Sequence, residues 1–382
     1  MAIKTFRVNI PERVLGDLRE RVQRTRWPDE IEGSGWTYGA SLAYMKELAE
    51  YWVTSFDWRK TEEEINARPN FMATIDGHDI HFLLIRGSGK KSLPLIAMHG
   101  WPGSFLEMMK LIPLLTENDE FTFDLVIPSL PGYGFSGKMT APGCNIWLMG
   151  DLFCALMKEL GYEKFGAHGG DFGSGIGMAM ALKHPQNVVG LHVNNIEGYY
   201  APLVPQGESL TDEEIRFEKN ADQWYEEEGA YSHEQRTRPL TLSYGLNDSP
   251  VGLCAWIIEK FHAWSDCGGT IERVLTKDEL LAHVTLYWVT ETLHSSIRLY
   301  HESRRAPLRL TRADAVSVPV GVAQFRLESP FPPRRYVERS FNVQRWTHAG
   351  AGGHFPAFEK PVVLADDIRS FFQSLKSGLP AR

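Results

Sequence analysis

The sequence predicts an α/β fold, a mostly parallel sheet with flanking helices, interrupted by a helical insertion. Three observations carry that expectation. Short, nearly continuous apolar runs alternate with helix-length segments across residues 71–200, and the same rhythm resumes in 306–382. A glycine-rich turn, Gly169-Gly170-Asp171-Phe172-Gly173, joins one of those runs to the segment after it. Residues 201–305 are rich in Trp, Tyr and charge and contain no convincing parallel-strand run.

Residues 1–70 read as helical and amphipathic. Pro11 opens a segment that puts Val14, Leu15, Leu18 and Val22 on one face, and Ser41–Phe56 sets Leu42, Met45, Leu48 and Trp52 on a stripe. FMATIDGHDIHFLLIRG reads as two strands turning at Asp76-Gly77. LPLIAMHG and FDLVIPSL are short, nearly continuous apolar runs, as strands covered on both faces should be. A helix-length segment, Asn145–Leu160, leads to the run KFGAHGG; strand, loop and helix repeat through VVGLHVNN. After the insertion come VSVPVGVAQF, the short apolar stretch SFNVQRWTHA and a last helix, PVVLADDIRSFFQSL. Right-handed crossovers between parallel strands account for this order.

The chain has 382 residues and a net charge of −8, with 43% hydrophobic and 23% charged residues. That composition is globular, and it supplies no basic footprint for nucleic acid or for an anionic membrane. Cys144, Cys154, Cys254 and Cys267 are too scattered for a disulfide framework or a CxxC zinc site. The N-terminus has no signal-peptide apolar core, and no run reaches the roughly 18 apolar residues of a spanning helix. A soluble, cytoplasmic protein is expected, for which a homodimer would be ordinary.

The sharpest chemical signal is the turn around Asp171. A Gly-x-nucleophile-x-Gly strand-to-helix turn exposes its central side chain at the positive end of the following helix. The bland reading is a glycine-rich turn with a capping Asp. A carboxylate at the tip can attack a saturated carbon and form an alkyl ester, which serine does poorly. His99-Gly100-Trp101-Pro102-Gly103-Ser104 follows an earlier strand. A loop in that place, with the residue after a nucleophile, can offer two backbone N–H groups, here those of Trp101 and Phe172, to a developing oxyanion. Gly352-Gly353-His354-Phe355 lies just before the last helix, where a general base belongs; His348 is its nearest competitor. An acid to orient the base could be Glu197, after VVGLHVNN, or Glu328, after VSVPVGVAQF. Asp314 precedes its strand, the wrong end of a parallel sheet.

Taken in order, FRVNIPERVLGDLRERVQRTRWPD, HGWPGS, GGDFGS, LNDSPVGL, VPVGVAQFRLE and GGHFPAFEKP resemble the motifs of the α/β-hydrolase-fold epoxide hydrolases of the microsomal type, across nearly the whole chain. The resemblance implies an α/β-hydrolase core (71–200 and 306–382), an N-terminal wrapping segment (1–70) and a helical cap (201–305). It matches Asp171 to the nucleophile, His354 to the base and Glu328 to the acid. Tyr300 matches one of two cap tyrosines that hold the epoxide oxygen; Tyr231 matches the other, with Tyr225 and Tyr244 nearby. An epoxide would be opened on Asp171 and the ester hydrolysed to a vicinal diol, with no metal or organic cofactor. The aromatic cap, with Trp224, Trp256, Trp264 and Trp288, suggests an apolar or aryl epoxide met in detoxification or secondary metabolism. The family commonly carries Trp where this chain has Phe172, and its membrane-bound members begin with an anchor absent here.

Two other readings compete. A haloalkane dehalogenase shares the Asp nucleophile and the His base but often takes a halide-binding indole from the residue after the nucleophile, which Phe172 cannot offer. A non-catalytic ligand-binding protein on the same scaffold is the reading from a different class.

Overall fold

Every residue of FTFDLVIP is buried in the folded chain, as an apolar run with helices on both faces requires. The structure, a computed structural model, describes residues 3–196, 202–204, 206–308, 310 and 316–375. Its strands are β1 (Ile3–Thr5), β2 (Asn70–Ile75), β3 (His78–Ile85), β4 (Lys91–Met98), β5 (Phe121–Pro128), β6 (Phe165–Gly169), β7 (Val188–Val193), β8 (Val316–Phe325) and β9 (Phe341–Ala349). They form one sheet in the order β1-β2-β3-β5-β4-β6-β7-β8-β9. Pairing is parallel from β5 through β9 and antiparallel among β1, β2, β3 and β5. This is the α/β-hydrolase fold.

Local sequence explains most boundaries. Asp76 (φ +48°) and Gly77 (φ +82°) both take left-handed backbone, as a two-residue type I′ hairpin between β2 and β3 demands. Asn145 caps the helix Ile146–Glu159 by accepting from the N–H groups of Trp147 and Leu148. The helix Glu12–Gln23 buries Leu15, Leu18 and Val22, and Leu42–Thr54 buries Met45, Leu48 and Trp52. The helical reading of residues 1–70 misses β1. Three residues are too few for alternation to register, and only pairing of Ile3 with Ala73 makes them a strand. The stretch SFNVQRWTHA becomes β9, parallel to β8.

Between β7 and β8 the described chain is helical. Asp212–Glu228, Ala230–Thr237, Pro239–Leu246, Pro250–Trp264, Lys277–Thr290 and Leu293–Arg305 follow one another. The N-terminal helices brace them. Trp52 Nε1–H donates to Thr285 Oγ1 at 3.0 Å in the interior, and Arg21 pairs with Asp248 at 2.8 Å. Among the described residues no helix is long and apolar enough to cross a membrane.

Candidate active site

β6 ends at the carboxyl edge of the parallel strands, where open α/β sheets place their ligands. Asp171 sits there with φ +50° and ψ −131°, a conformation non-glycine residues rarely adopt. Strain of this kind persists only where surrounding structure over-determines it. Here the crowding is explicit: a Cβ at Gly169 would lie 2.3 Å from the Gly173 backbone, and one at Gly173 would lie 2.3 Å from Met98 O. Only glycine lets strand, turn and the helix Phe172–Lys183 approach so closely.

The turn aims the Asp171 carboxylate at two backbone donors. Trp101 N–H and Phe172 N–H both donate to Asp171 Oδ1, at 2.8 and 2.7 Å. His99 holds the loop that carries Trp101. Burial pulls its imidazole down to about 4, so it is neutral, with Nδ1–H donating to Gly100 O at 3.0 Å and Nε2 accepting from Leu130 N–H at 3.2 Å.

The other carboxylate oxygen, Oδ2, lies 3.4 Å from His354 Nε2. On the far side of the ring, Nδ1 meets Glu328 Oε2 at 2.9 Å and Oε1 at 3.1 Å, which keeps the proton of the neutral ring on Nδ1. Gly352 (φ +107°) turns the chain so that His354 N–H can donate to Trp264 O at 2.8 Å, tying the late loop to the insertion. Burial disfavours the charged imidazole, but the Glu328 carboxylate and then Asp171 outweigh it and hold His354 well above the usual histidine range. Asn195 Nδ2–H donates to Glu328 Oε1 at 2.7 Å and so orients the carboxylate. Asn195 carries no motif of its own, and its place just past the carboxyl end of a parallel strand is the one signal for it in the sequence.

A pocket of about 170 Å³ opens above Asp171. Tyr231, Tyr300, Trp224, Tyr225 and Trp264 from the insertion face Phe172, Ile196, Leu327 and His354 across it. The ring of Tyr300 stands edge-on to Phe172 at 4.7 Å and to Tyr231 at 6.0 Å; Tyr231 stacks on Trp101 at 5.5 Å. Lys260, ion-paired with Glu259, lies 4.9 Å from the Tyr231 ring centroid, a cation–π contact that fixes the ring.

The remaining candidates separate by position. Tyr244 is 75% exposed, and His348 is exposed on β9. Trp256 is hydrogen-bonded to Gln235, and Trp288 lies beneath Arg21; neither lines the pocket. Glu197 and Asp314 lie outside the described residues. Among the described residues no cluster of His, Cys, Asp or Glu is arranged to hold a metal ion.

Comparison with known proteins bears on the fold and the family. Residues 3–108 match the family model described as epoxide hydrolase N terminus, and residues 94–249 match that of the alpha/beta hydrolase fold. The chain is 37% identical to epoxide hydrolase 1 of Sus scrofa over 98% of this chain and 89% of that protein. It is similar to the crystal structure of juvenile hormone epoxide hydrolase from the silkworm Bombyx mori, with a TM-score of 0.86 and 31% identity over 99% of this chain and 95% of that one. The Aspergillus niger epoxide hydrolase structure is comparably similar, with a TM-score of 0.87 and 29% identity over 98% of this chain and 97% of that one.

Proposed function

The chain belongs to the epoxide hydrolase family, enzymes that add water to an epoxide to give a vicinal diol, and we propose that it does so through a covalent ester on Asp171. The observation that carries this reading is the environment of one carboxylate. Two N–H groups converge on Oδ1, an imidazole faces Oδ2, and a pocket with two tyrosines lies above.

Asp171 attacks an epoxide carbon while Tyr231 and Tyr300 donate to the ring oxygen, one of them yielding its proton as the C–O bond breaks. Alkylation turns the carboxylate into a neutral ester. His354 thereby loses one of the two charges that favour its protonated form, so more of it is neutral and free to take a proton. Held by Glu328, it takes a proton from water, which adds to the ester carbonyl. The N–H groups of Trp101 and Phe172 receive the oxyanion at Oδ1.

In this reading the insertion helices act as the cap, the N-terminal helices as its brace and the remainder as the core. The aromatic lining favours an apolar or aryl epoxide. We place the enzyme in the cytoplasm, where its four buried free thiols are at home, acting as a homodimer, the commonest closed assembly.

The test is the intact mass of His354→Gln after incubation with styrene oxide and, separately, with a bromoalkane. Turnover of the epoxide falls about 10³-fold while an adduct of the whole epoxide accumulates on Asp171. An adduct from the bromoalkane alone would convert the reading to dehalogenation. No adduct from either, with the wild type inactive on epoxides, would favour a binding protein.

A pH profile adds a second check. Because Glu328 raises the His354 pKa, neutral His354 becomes scarce on the acid side sooner than for an ordinary histidine. Glu328→Gln therefore moves the acid limb of ester hydrolysis to lower pH, while the plateau rate falls. An acid limb that stays in place would separate Glu328 from the base.

A further inference from the structure

Behind the Asp171 carboxylate lies a second cavity of about 20 Å³, against about 170 Å³ for the pocket in front. That volume suits a single water molecule. Both spaces touch Asp171 and His354, but the rear one is closed by Glu107, His168, Trp101 and Asn194 rather than by the insertion helices.

Its lining is polar in a particular way. His168 is fully buried and heads a chain of hydrogen bonds: its Nδ1 meets His192 Nδ1 at 3.0 Å, and His192 Nε2 meets Asp367 Oδ2 at 3.0 Å. A carboxylate can only accept, so His192 carries its proton on Nε2 and accepts at Nδ1. His168 must then donate from Nδ1, leaving Nε2 as a bare acceptor. That Nε2 is buried without a partner. Orphaned buried polar atoms are costly, and a bound water is their usual partner.

Glu107 supplies the opposite character. It sits on the short 3-10 helix Phe105–Lys110 beneath Trp101, and the chain makes room for it: a Cβ at Gly103 would lie 1.3 Å from Glu107 Oε1. Burial pushes its carboxyl up to about 8, with Asp171 adding to the shift and His354 opposing it. Near neutral pH it is mostly an acid, able to donate.

We propose that this rear cavity seats the water that cleaves the Asp171 ester, and that Glu107 and His168 are positioning residues holding that water against His354. The inference rests on the reading of Asp171 as the alkylated group. While the alkyl chain fills the front pocket, a water held behind keeps its own approach to Cγ. Its hydrogen-bonding capacity is then fully used. One proton points to His354 Nε2, the other to His168 Nε2, one lone pair accepts from Glu107, and the last bonds to Cγ. His354 removes the first proton, the tetrahedral intermediate collapses with cleavage of the bond from Cγ to the alkyl oxygen, and that oxygen leaves with the proton from His354. The proton left on the Asp171 carboxyl restores the tyrosine deprotonated in the first step.

The experiment separates the two chemical steps by rapid quench with styrene oxide, in Glu107→Leu, His168→Leu and Glu107→Gln, each first checked for a native melting transition. The leucine variants should alkylate at the wild-type rate but hydrolyse the ester about 100-fold more slowly, so the adduct accumulates. Glu107→Gln, which keeps a donor and an acceptor at the same place, should recover most of the hydrolysis rate. Ester hydrolysis at the wild-type rate in both leucine variants overturns the inference. So does an equal fall in both steps, or a glutamine variant no better than leucine. His354→Gln in parallel distinguishes the failures: an adduct there with none in the leucine variants sinks only the rear water site, whereas no adduct there sinks the reading of Asp171 itself.

Discussion

Asp171→Ala loses epoxide turnover by about 10⁴-fold or more, and intact mass shows no adduct, even when His354→Gln is added. The expectation follows from what the carboxylate alone provides. Two N–H groups and an imidazole converge on it, and a methyl group accepts from neither and attacks nothing. Alanine removes the two N–H bonds to Oδ1 but leaves the close glycine packing that shapes the turn, so the fold should persist. Retention of the circular dichroism spectrum and melting transition checks that point. An isotope experiment on the wild type sharpens the same claim. In the proposed sequence the diol takes its new oxygen from Asp171, and the carboxylate is refilled from water. A single turnover in ¹⁸O-water, with enzyme in excess, should therefore label Asp171 and leave the diol unlabelled. Label in the diol from the first turnover would mean direct attack by water.

The second large effect is expected from the tyrosine pair. Tyr231→Phe and Tyr300→Phe together slow alkylation by about 10⁴-fold, while each alone costs about 10²-fold, because the remaining phenol still serves the ring oxygen. The phenylalanine changes keep the edge-on packing of Tyr300 against Phe172 and the stacking of Tyr231 on Trp101, so apolar binding should survive. The loss should therefore appear in the alkylation rate rather than in epoxide affinity. If the double variant alkylates within about 10-fold of wild type, the acid role belongs elsewhere, and Tyr225, which also lines the pocket, is the residue to test.

What was legible from sequence follows the range of the forces involved. The turn at Asp76-Gly77, the cap at Asn145, the glycines about Asp171 and the apolar strands are set by φ/ψ sterics and by periodicity over a few residues. Such features are written into adjacent letters, so the α/β order and the positions of the motifs could be read directly. β1 could not, because Ile3–Thr5 is a strand only by virtue of its pairing with Phe71–Ala73.

The convergence of distant side chains lay beyond that reach. Sequence alone left several histidines, acids and tyrosines in competition. Among the described residues, assembly of the sheet carries Glu328 and His354 to Asp171, while His348 and Tyr244 are turned to solvent. Asn195, Glu107 and His168 carry no motif of their own. Their significance comes from the spaces they line and the atoms they face, and those exist only once β4, β6, β7 and β8 lie side by side. The sequence by itself determined the family, the shape of the Asp171 turn and the order of the elements, because each rests on local pattern. Only the tertiary structure decided which donors meet that carboxylate, what holds His354 in its tautomer and where a single water can wait, because burial and hydrogen-bond geometry are properties of the assembled chain.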